Sequence, residues 1–194
     1  MTSTSLASLA GLTSADFGVW AIKNDVTIPN SSQPPVFVMT YSAFAGGTQL
    51  TTSMPTGTAI YTGKMTGVLA NTPIGGSDDV SGTVSLSADF TNGSITGQFT
   101  GIANVAGAST LPGTTAFSGS FADISLSSGA AVSGNSFSAP VATTSIPGAS
   151  TAIMKGNFYG ATANELAGTF TISVPSLGSP GAGLILIGSF GAKQ

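Results

Sequence analysis

Hydrophobic residues recur along the chain in short segments that alternate with polar ones. Segments of Val, Ile, Thr, Phe and Tyr come at intervals of about ten residues, between clusters of Gly, Asn, Pro and Ser. Helical periodicity is nearly absent, apart from a possible turn at residues 161–166. The pattern predicts an all-β protein with strands near residues 57–68, 84–101, 114–126, 132–139, 151–159, 167–174 and 182–190.

The clearest local pattern is a hairpin over residues 84–101. Asn92-Gly93 is typical of a two-residue type I′ turn, and with that loop Phe90 faces Ile95. The further pairs are Ala88 with Gly97, Leu86 with Phe99, Asp89 with Thr96, Ser87 with Gln98 and Ser85 with Thr100. Because a slip by one residue would mix the apolar and polar faces, the pattern predicts this register.

About eight strands result, which is enough to close a small antiparallel barrel and remove both sheet edges. Large residues alternate with glycine or small residues at 117–121 and 154–158, which fits a narrow barrel interior, although a sandwich could use the same pattern. The strands of an outer-membrane barrel also alternate. Against that alternative, the aromatic residues form no two girdles and the sequence ends in Lys193-Gln194.

Two further strand-like segments, residues 16–23 and 36–44, precede the barrel, and Pro29, Pro34 and Pro35 interrupt the sequence between them. We interpret residues 1–50 as an N-terminal segment with a small β subdomain that packs outside the barrel. Residues 51–194 form the barrel, and the whole chain of 194 residues is one domain. Residues 1–14 show no clear period, so we expect a mobile or loosely docked start.

Composition excludes several classes of function. Charged residues make up 6% of the chain, with four lysines and no arginine, so nucleic acid and anionic lipid have little to bind. Cysteine and histidine are absent, which removes disulfides, thiolate metal sites and the commonest general base. A serine nucleophile would lack its base, and no catalytic residue stands out. We therefore expect a protein that is not an enzyme.

Membrane insertion and export leave weaker traces. No apolar run approaches the length of about 20 residues that a transmembrane helix needs. Residues 1–11 lack the pattern of a signal peptide, so we expect that a signal was removed or that export uses another route.

One segment resembles a known family. Residues 156–170 read GNFYGATANELAGTF and resemble the signature G-x-FYGP-x-A-x-E-x-GG-x-F of the transferrin-binding-protein-B-like β-barrel family, with Ala161 in place of proline and Ala167 in place of glycine. Weaker similarities are the ending Phe190-Gly191-Ala192-Lys193, the hairpin from Val80 to Gly97, Phe17-Gly18-Val19-Trp20 and Met54-Pro55.

The resemblance implies a bacterial binding protein, extracellular or on the outer cell surface, that captures a partner protein in preference to a small ligand. Since no cysteine can carry a lipid, it implies a secreted member or one whose anchor has been removed. Ligand choice in such scaffolds lies in loops. Candidate loops by length and composition are residues 73–79, 107–113 and 145–150.

Several residues could carry a site. Tyr159 and Glu165 could be a functional pair, but we favour a structural role in which polar groups satisfy the backbone of a turn. Asp78-Asp79 could belong to a calcium site, yet no D-x-D-x-D-G spacing supports it and we expect no metal.

Two further kinds of site, a haem site and a hydrophobic anchor, would depend on tyrosine, methionine or tryptophan side chains. Haem would need Tyr41, Tyr61, Tyr159 or a methionine as axial ligand, and we expect no cofactor. Trp20, the single tryptophan, could anchor a partner. We expect it to be buried beneath the N-terminal segment.

Self-assembly is the alternative function. A net charge of −3 with few charges of either sign leaves little repulsion between copies of the chain. Residues 1–14 could add a strand to the open edge of a neighbour. The alternative is therefore a structural protein that assembles with copies of itself into a surface layer, a fibre or an extracellular matrix.

Overall fold

Strands and turns make up nearly all of the computed structural model, which describes residues 2–5, 10–26, 36–71, 76–105, 120–126, 130–146, 151–173 and 183–194. The strands are β1 (Thr2–Ser5), β2 (Ala15–Val26), β3 (Val36–Gly47), β4 (Thr58–Asn71), β5 (Gly76–Asp89), β6 (Ser94–Asn104), β7 (Ser120–Phe121), β8 (Ile124–Leu126), β9 (Ala131–Ser133), β10 (Ser136–Ala142), β11 (Thr151–Tyr159), β12 (Glu165–Ser173) and β13 (Leu184–Lys193). Among these residues, no helix has the length and apolar character needed to cross a bilayer.

The strands from β4 onward form a closed antiparallel barrel of eight strand positions, as predicted. The order runs β11-β12-β13-β4-β5-β6-β8-β10, and the ladder between β10 and β11 closes the ring. The first and last long strands are neighbours, with Thr62 opposite Lys193. Closure leaves the barrel without a free sheet edge, which is the usual way in which such a sheet avoids pairing with other chains.

One strand position of the barrel is divided. The predicted strand at 114–126 is in part β7 and β8, and its residues 114–119 lie outside the described chain. The predicted strand at 132–139 is correct in part, because a turn at Gly134-Asn135 divides it into β9 and β10. Gly134 has a φ of 57°, a left-handed conformation that favours glycine and ends the strand.

Apolar side chains fill the barrel interior. Phe99, Phe137, Phe158, Phe170 and Phe190 are all buried there, and ring centroids lie 5.0 Å apart for Phe99 and Phe190. Three of the rings lie over a glycine on the adjacent strand; the pairs are Phe137 with Gly156, Phe190 with Gly168, and Phe170 with Gly188. The alternation of large residues and glycine predicted for 154–158 is therefore a device that makes room for aromatic rings from neighbouring strands.

Gly168→Ala tests this packing. A Cβ at Gly168 would lie 2.7 Å from Cζ of Phe190 and would also collide with the Lys155 carbonyl, which belongs to the rigid backbone. We expect a loss of about 1–3 kcal/mol in the free energy of unfolding, measured by urea denaturation. The control is Gly46→Ala, because nothing lies within 4 Å of a Cβ there. Equal effects of the two substitutions would contradict the close approach.

The hairpin between β5 and β6 corrects the predicted register by two residues. Asp89 pairs with Ser94, Ala88 with Ile95 and Leu86 with Gly97, so the connection is residues 90–93. Asp89 Oδ1 accepts hydrogen bonds from the backbone N–H groups of Thr91 and Asn92, both at 3.0 Å. Only Gly93 has a positive φ, of 64°, and a type I′ turn would need one at Asn92 too. A shift of two keeps each residue on its face, so the separation of apolar and polar faces is correct.

The N-terminal residues form a separate sheet in the order β1-β2-β3. It packs on the outer surface of the barrel, where Leu12 and Phe17 contact the Gly191 backbone, and Ser189 Oγ donates a 2.8 Å hydrogen bond to the Gly18 carbonyl. The placement outside the barrel was predicted. The expectation of a loose start is wrong for the described residues, because residues 2–5 pair with β2 and Ala10 and Leu12 are buried.

Candidate functional site

The signature segment 156–170 spans β11, a turn and β12 at one end of the barrel. Phe158 points into the core, and Tyr159 lies on the outside, packed with Phe17 and Ala167 under the N-terminal sheet. Gly160 and Ala163 have φ values of 82° and 58°, so the turn between the strands is tight and left-handed at both points. Most of the signature thus shapes a turn and a docking surface for the N-terminal sheet.

Glu165 holds the start of the N-terminal sheet on the barrel. Its Oε1 accepts hydrogen bonds from the Thr13 N–H (2.8 Å) and hydroxyl (2.7 Å), and its Oε2 accepts from the N–H groups of Ser14 (2.8 Å) and Ala15 (2.9 Å). Burial raises the pKa of Glu165, but the hydrogen bonds from Thr13, Ser14 and Ala15 outweigh it, so that the pKa lies below its usual value. The carboxylate is fully engaged in structure.

The same end of the barrel is sealed by hydrogen bonds. The hydroxyl of Tyr61, which is buried in the core, donates a hydrogen bond to the Ala163 carbonyl. Gln194 Nε2 donates to the Tyr61 hydroxyl oxygen and to the same Ala163 carbonyl. Burial raises the pKa of Tyr61, and the hydrogen bond from Gln194 opposes this shift. The Thr51 N–H bonds the Phe158 carbonyl at 3.1 Å, which ties the segment before β4 across the end of the barrel. These hydrogen bonds join β4, the turn between β11 and β12 and the last residue of the sequence, and a pocket of about 230 Å³ beside Thr58, Phe90 and Gln194 lies at the same end.

The opposite end of the barrel is where the long connections leave. Paired residues mark it: Asn71 lies opposite both Gly76 and Leu184, Ser173 opposite Thr151, and Asn104 opposite Val80. The connections that begin and finish there are residues 72–75, 105–119, 143–150 and 174–183. The sealed end carries the short connections 90–93, 134–135 and 160–164, together with the segment 48–57 that leads into β4. Candidate binding segments therefore share one end of the scaffold.

The predicted loops fare differently. Residues 107–113 lie outside the described chain, as do 73–75 and 147–150. The loop prediction is wrong for residues 76–79, which belong to β5. Ser145 and Ile146 lie in the connection between β10 and β11, as predicted, and they pack against the barrel, because Ser145 Oγ accepts a 2.7 Å hydrogen bond from the Ala122 N–H and Ile146 is buried in the core.

The possible calcium pair is separated by the strand. Asp78 is buried and Asp79 is exposed, since successive residues of β5 point to opposite faces. Partial burial raises the pKa of Asp79, and the nearby charge of Asp78 raises it further. Within the described ranges, no three His, Cys, Asp or Glu side chains form a group that could hold a metal.

The candidate haem ligands lie apart. Tyr61 is inside the barrel, Tyr159 is on its outer surface, and the Tyr41 hydroxyl bonds Ser77 Oγ near the opposite end. Burial raises the pKa of Tyr159, and a hydrogen bond with Asn157 opposes this shift. Trp20 pairs with Ser3 and Ser42 within the N-terminal sheet and is partly buried, which is less than predicted.

Comparisons with known proteins agree with this architecture. The model of the C-lobe and N-lobe β-barrels of Tf-binding protein B matches residues 54–194. A comparison with curated protein sequences finds no significant match.

Two solved transferrin-binding proteins share this fold. The chain is similar to a variant of the vaccine antigen transferrin-binding protein B from Haemophilus parasuis Hp5, with 18% identity and a TM-score of 0.55, and the alignment covers 94% of this chain and 33% of that protein. The chain is also similar to isotype 1 transferrin-binding protein B from serogroup B Neisseria meningitidis, with 21% identity and a TM-score of 0.54, and the alignment covers 94% of this chain and 32% of that protein. The comparison with the haemoglobin receptor HpuA from Kingella denitrificans gives 18% identity and a TM-score of 0.49, and it covers 94% of this chain and 55% of that protein. The chain thus spans about a third of the two transferrin-binding proteins, and it belongs to the family of the C-lobe and N-lobe β-barrels of Tf-binding protein B.

Proposed function

We propose that this chain is a bacterial binding domain, displayed on the outer cell surface or secreted, that captures a partner protein and performs no chemistry. The observation that carries the proposal is the difference between the two ends of the barrel. One end is closed by short turns and by the hydrogen bonds of Tyr61 and Gln194, whereas the connections 105–119, 143–150 and 174–183 leave from the other. Function in loop-bearing scaffolds concentrates on such connections.

A small ligand inside the barrel is disfavoured, because apolar side chains such as Phe99, Phe170 and Phe190 occupy the interior. Membership of a family named for transferrin binding favours a protein partner. Self-assembly has less support. The residues that could donate a strand to a neighbour include Thr2–Ser5, which already pair with β2 of the same chain.

Loop replacement tests the proposal. Residues 106–119, 147–150 and 175–182 are replaced one at a time by short Gly/Ser linkers, and binding is measured by surface plasmon resonance with immobilised transferrin and with fractionated serum protein. We expect at least one replacement to weaken binding by about tenfold or more. The control is Asn92→Ala in the turn at the sealed end, which should bind normally. Binding retained by every loop variant, or no binding to any serum protein, would contradict the proposal.

A further inference from the structure

The outer strand of the N-terminal sheet has a regular pattern of unpaired backbone groups. The Thr48 N–H bonds the Ser14 carbonyl at 3.0 Å, and the β2–β3 register is uninterrupted from there to the pair Val26 and Val36. In an antiparallel ladder only alternate residues bond to the partner strand, so even-numbered residues of β3 bond β2. Ala45, Ala43 and Tyr41 therefore direct their N–H and C=O groups away from β2. Within the described chain, no strand pairs with that edge.

This edge lacks the features that normally protect an edge strand. β3 reads VFVMTYSAFAGG over Val36–Gly47, with no charged residue and no proline. Natural sheets cover such edges, shorten them, or place lysine or proline on them. An uncharged edge strand of this length is therefore a ready template for another extended chain.

A groove lies beside the Ala45 end of the edge. It has a volume of about 470 Å³, and its floor is the outer surface of β10, β11 and β12. Small polar side chains line the floor, among them Ser136, Ser138, Asn157 and Thr169. Lys155 is the single charged residue of the lining, and its ammonium has no ion-pair partner among the described residues. The groove thus offers hydroxyl groups and one free positive charge next to free backbone groups.

We propose that the β3 edge and this groove form a binding site for an extended polypeptide segment that carries an acidic side chain. The segment adds to the sheet as a fourth strand, bonding the N–H and C=O groups of Ala43 and Ala45, while its acidic side chain pairs with Lys155. The barrel surface bounds the space below the edge, so one strand fits. A second copy of the chain fits less well, because its own barrel lies on the same face of its sheet and would collide with this floor. The site is distinct from the loop end of the barrel.

Amide hydrogen exchange, followed by NMR, tests the free edge. In the protein alone the amides of Ala43 and Ala45 should exchange quickly, while those of Ser42 and Phe44, which bond β2, are protected. The probe is an acetylated peptide of about eight residues that alternates Thr and Val around one central Glu. Its addition should protect Ala43 and Ala45. Protection of these amides in the protein alone would overturn the proposal. Protection at every protein concentration would mean that the chain covers its own edge, and protection only at high concentration would mean that two copies pair through it.

Binding of the same peptide, measured by fluorescence anisotropy, tests the contacts. Ala43→Pro removes an edge N–H without touching the ladder to β2 and should weaken binding about tenfold, whereas the control Ala43→Ser should not. Methylating alternate peptide amides should abolish binding for the set that faces β3 and spare it for the other set.

A charge reversal tests the pairing between Lys155 and the acidic side chain of the peptide. Lys155→Glu should weaken binding of the Glu peptide about three- to fivefold and should favour a peptide with Lys in place of Glu. Lys64→Glu, on the exposed face of β4, should do neither. Loss of peptide binding on replacing the loops, or an unchanged preference in Lys155→Glu, would overturn this site without bearing on partner capture at the loop end.

Discussion

Glu165→Gln should strongly destabilise the protein and change how its stability depends on pH. The carboxylate accepts four hydrogen bonds from residues 13–15, and a glutamine would turn its NH₂ group towards N–H donors that need an acceptor. Only the Ala15 N–H among these donors is fully buried, and an unsatisfied buried donor costs about 1–3 kcal/mol, so with smaller contributions from Thr13 and Ser14 we expect a loss of about 2–4 kcal/mol in the free energy of unfolding near neutral pH. Urea denaturation measures it.

The pH dependence follows from the lowered pKa of Glu165. A carboxyl whose folded-state pKa lies below its unfolded value, about 4.5, stabilises the fold fully above that pH and loses this contribution as the pH falls through the folded pKa. The difference in stability between wild type and Glu165→Gln should therefore shrink in acid. As a control, Asp89→Asn removes an exposed carboxylate that also caps backbone N–H groups, and its effect should be much smaller. A difference that stayed constant with pH would contradict the role of the charge.

Phe190→Ala should cost about as much through a different mechanism. Phe190 is fully buried, and its ring centroid lies 5.0 Å from that of Phe99 and 6.2 Å from that of Phe137. Truncation leaves a cavity that closed strands cannot collapse to fill, so we expect a loss of about 3–5 kcal/mol and a fall in Tm of roughly 10 °C.

Calorimetry and urea denaturation measure this loss. Ile60→Ala is the control, since Ile60 is 65% exposed and its truncation should change stability by less than about 0.5 kcal/mol. A loss below about 1 kcal/mol for Phe190→Ala would show that the aromatic cluster is loosely packed.

The face pattern of the strands was predictable from sequence, whereas the register of the hairpin was not. Alternation in Val84–Phe99 separates the apolar from the polar side under any even shift. The choice between a two-residue and a four-residue connection depends on the side chain of Asp89, which bonds the backbone of Thr91 and Asn92. Such a bond has only a weak sequence signal, because Asp is common both in strand ends and in turns.

The surroundings of the candidate sites depended on contacts between distant residues. Glu165 could be assigned a backbone-satisfying role from its place in the signature, but its partners lie 150 or more positions away and include backbone N–H groups that carry no side-chain signal. The groove beside Ala45 likewise arises from packing the N-terminal sheet on β12. The position of Lys155 beside the open edge of β3 depends on this packing, so it could not be predicted from composition.

The pairing of β4 with β13 has a consequence for how a cell makes this protein. Thr62 meets Lys193 across that ladder, and Phe190 of the same strand lies in the centre of the core. Until β13 is available, β4 lacks one neighbour and the core lacks its central ring, so the barrel cannot close before that strand has been made. Contacts this distant in sequence also slow folding. The barrel from β4 to β13 therefore folds as one unit, once the last of these strands is available.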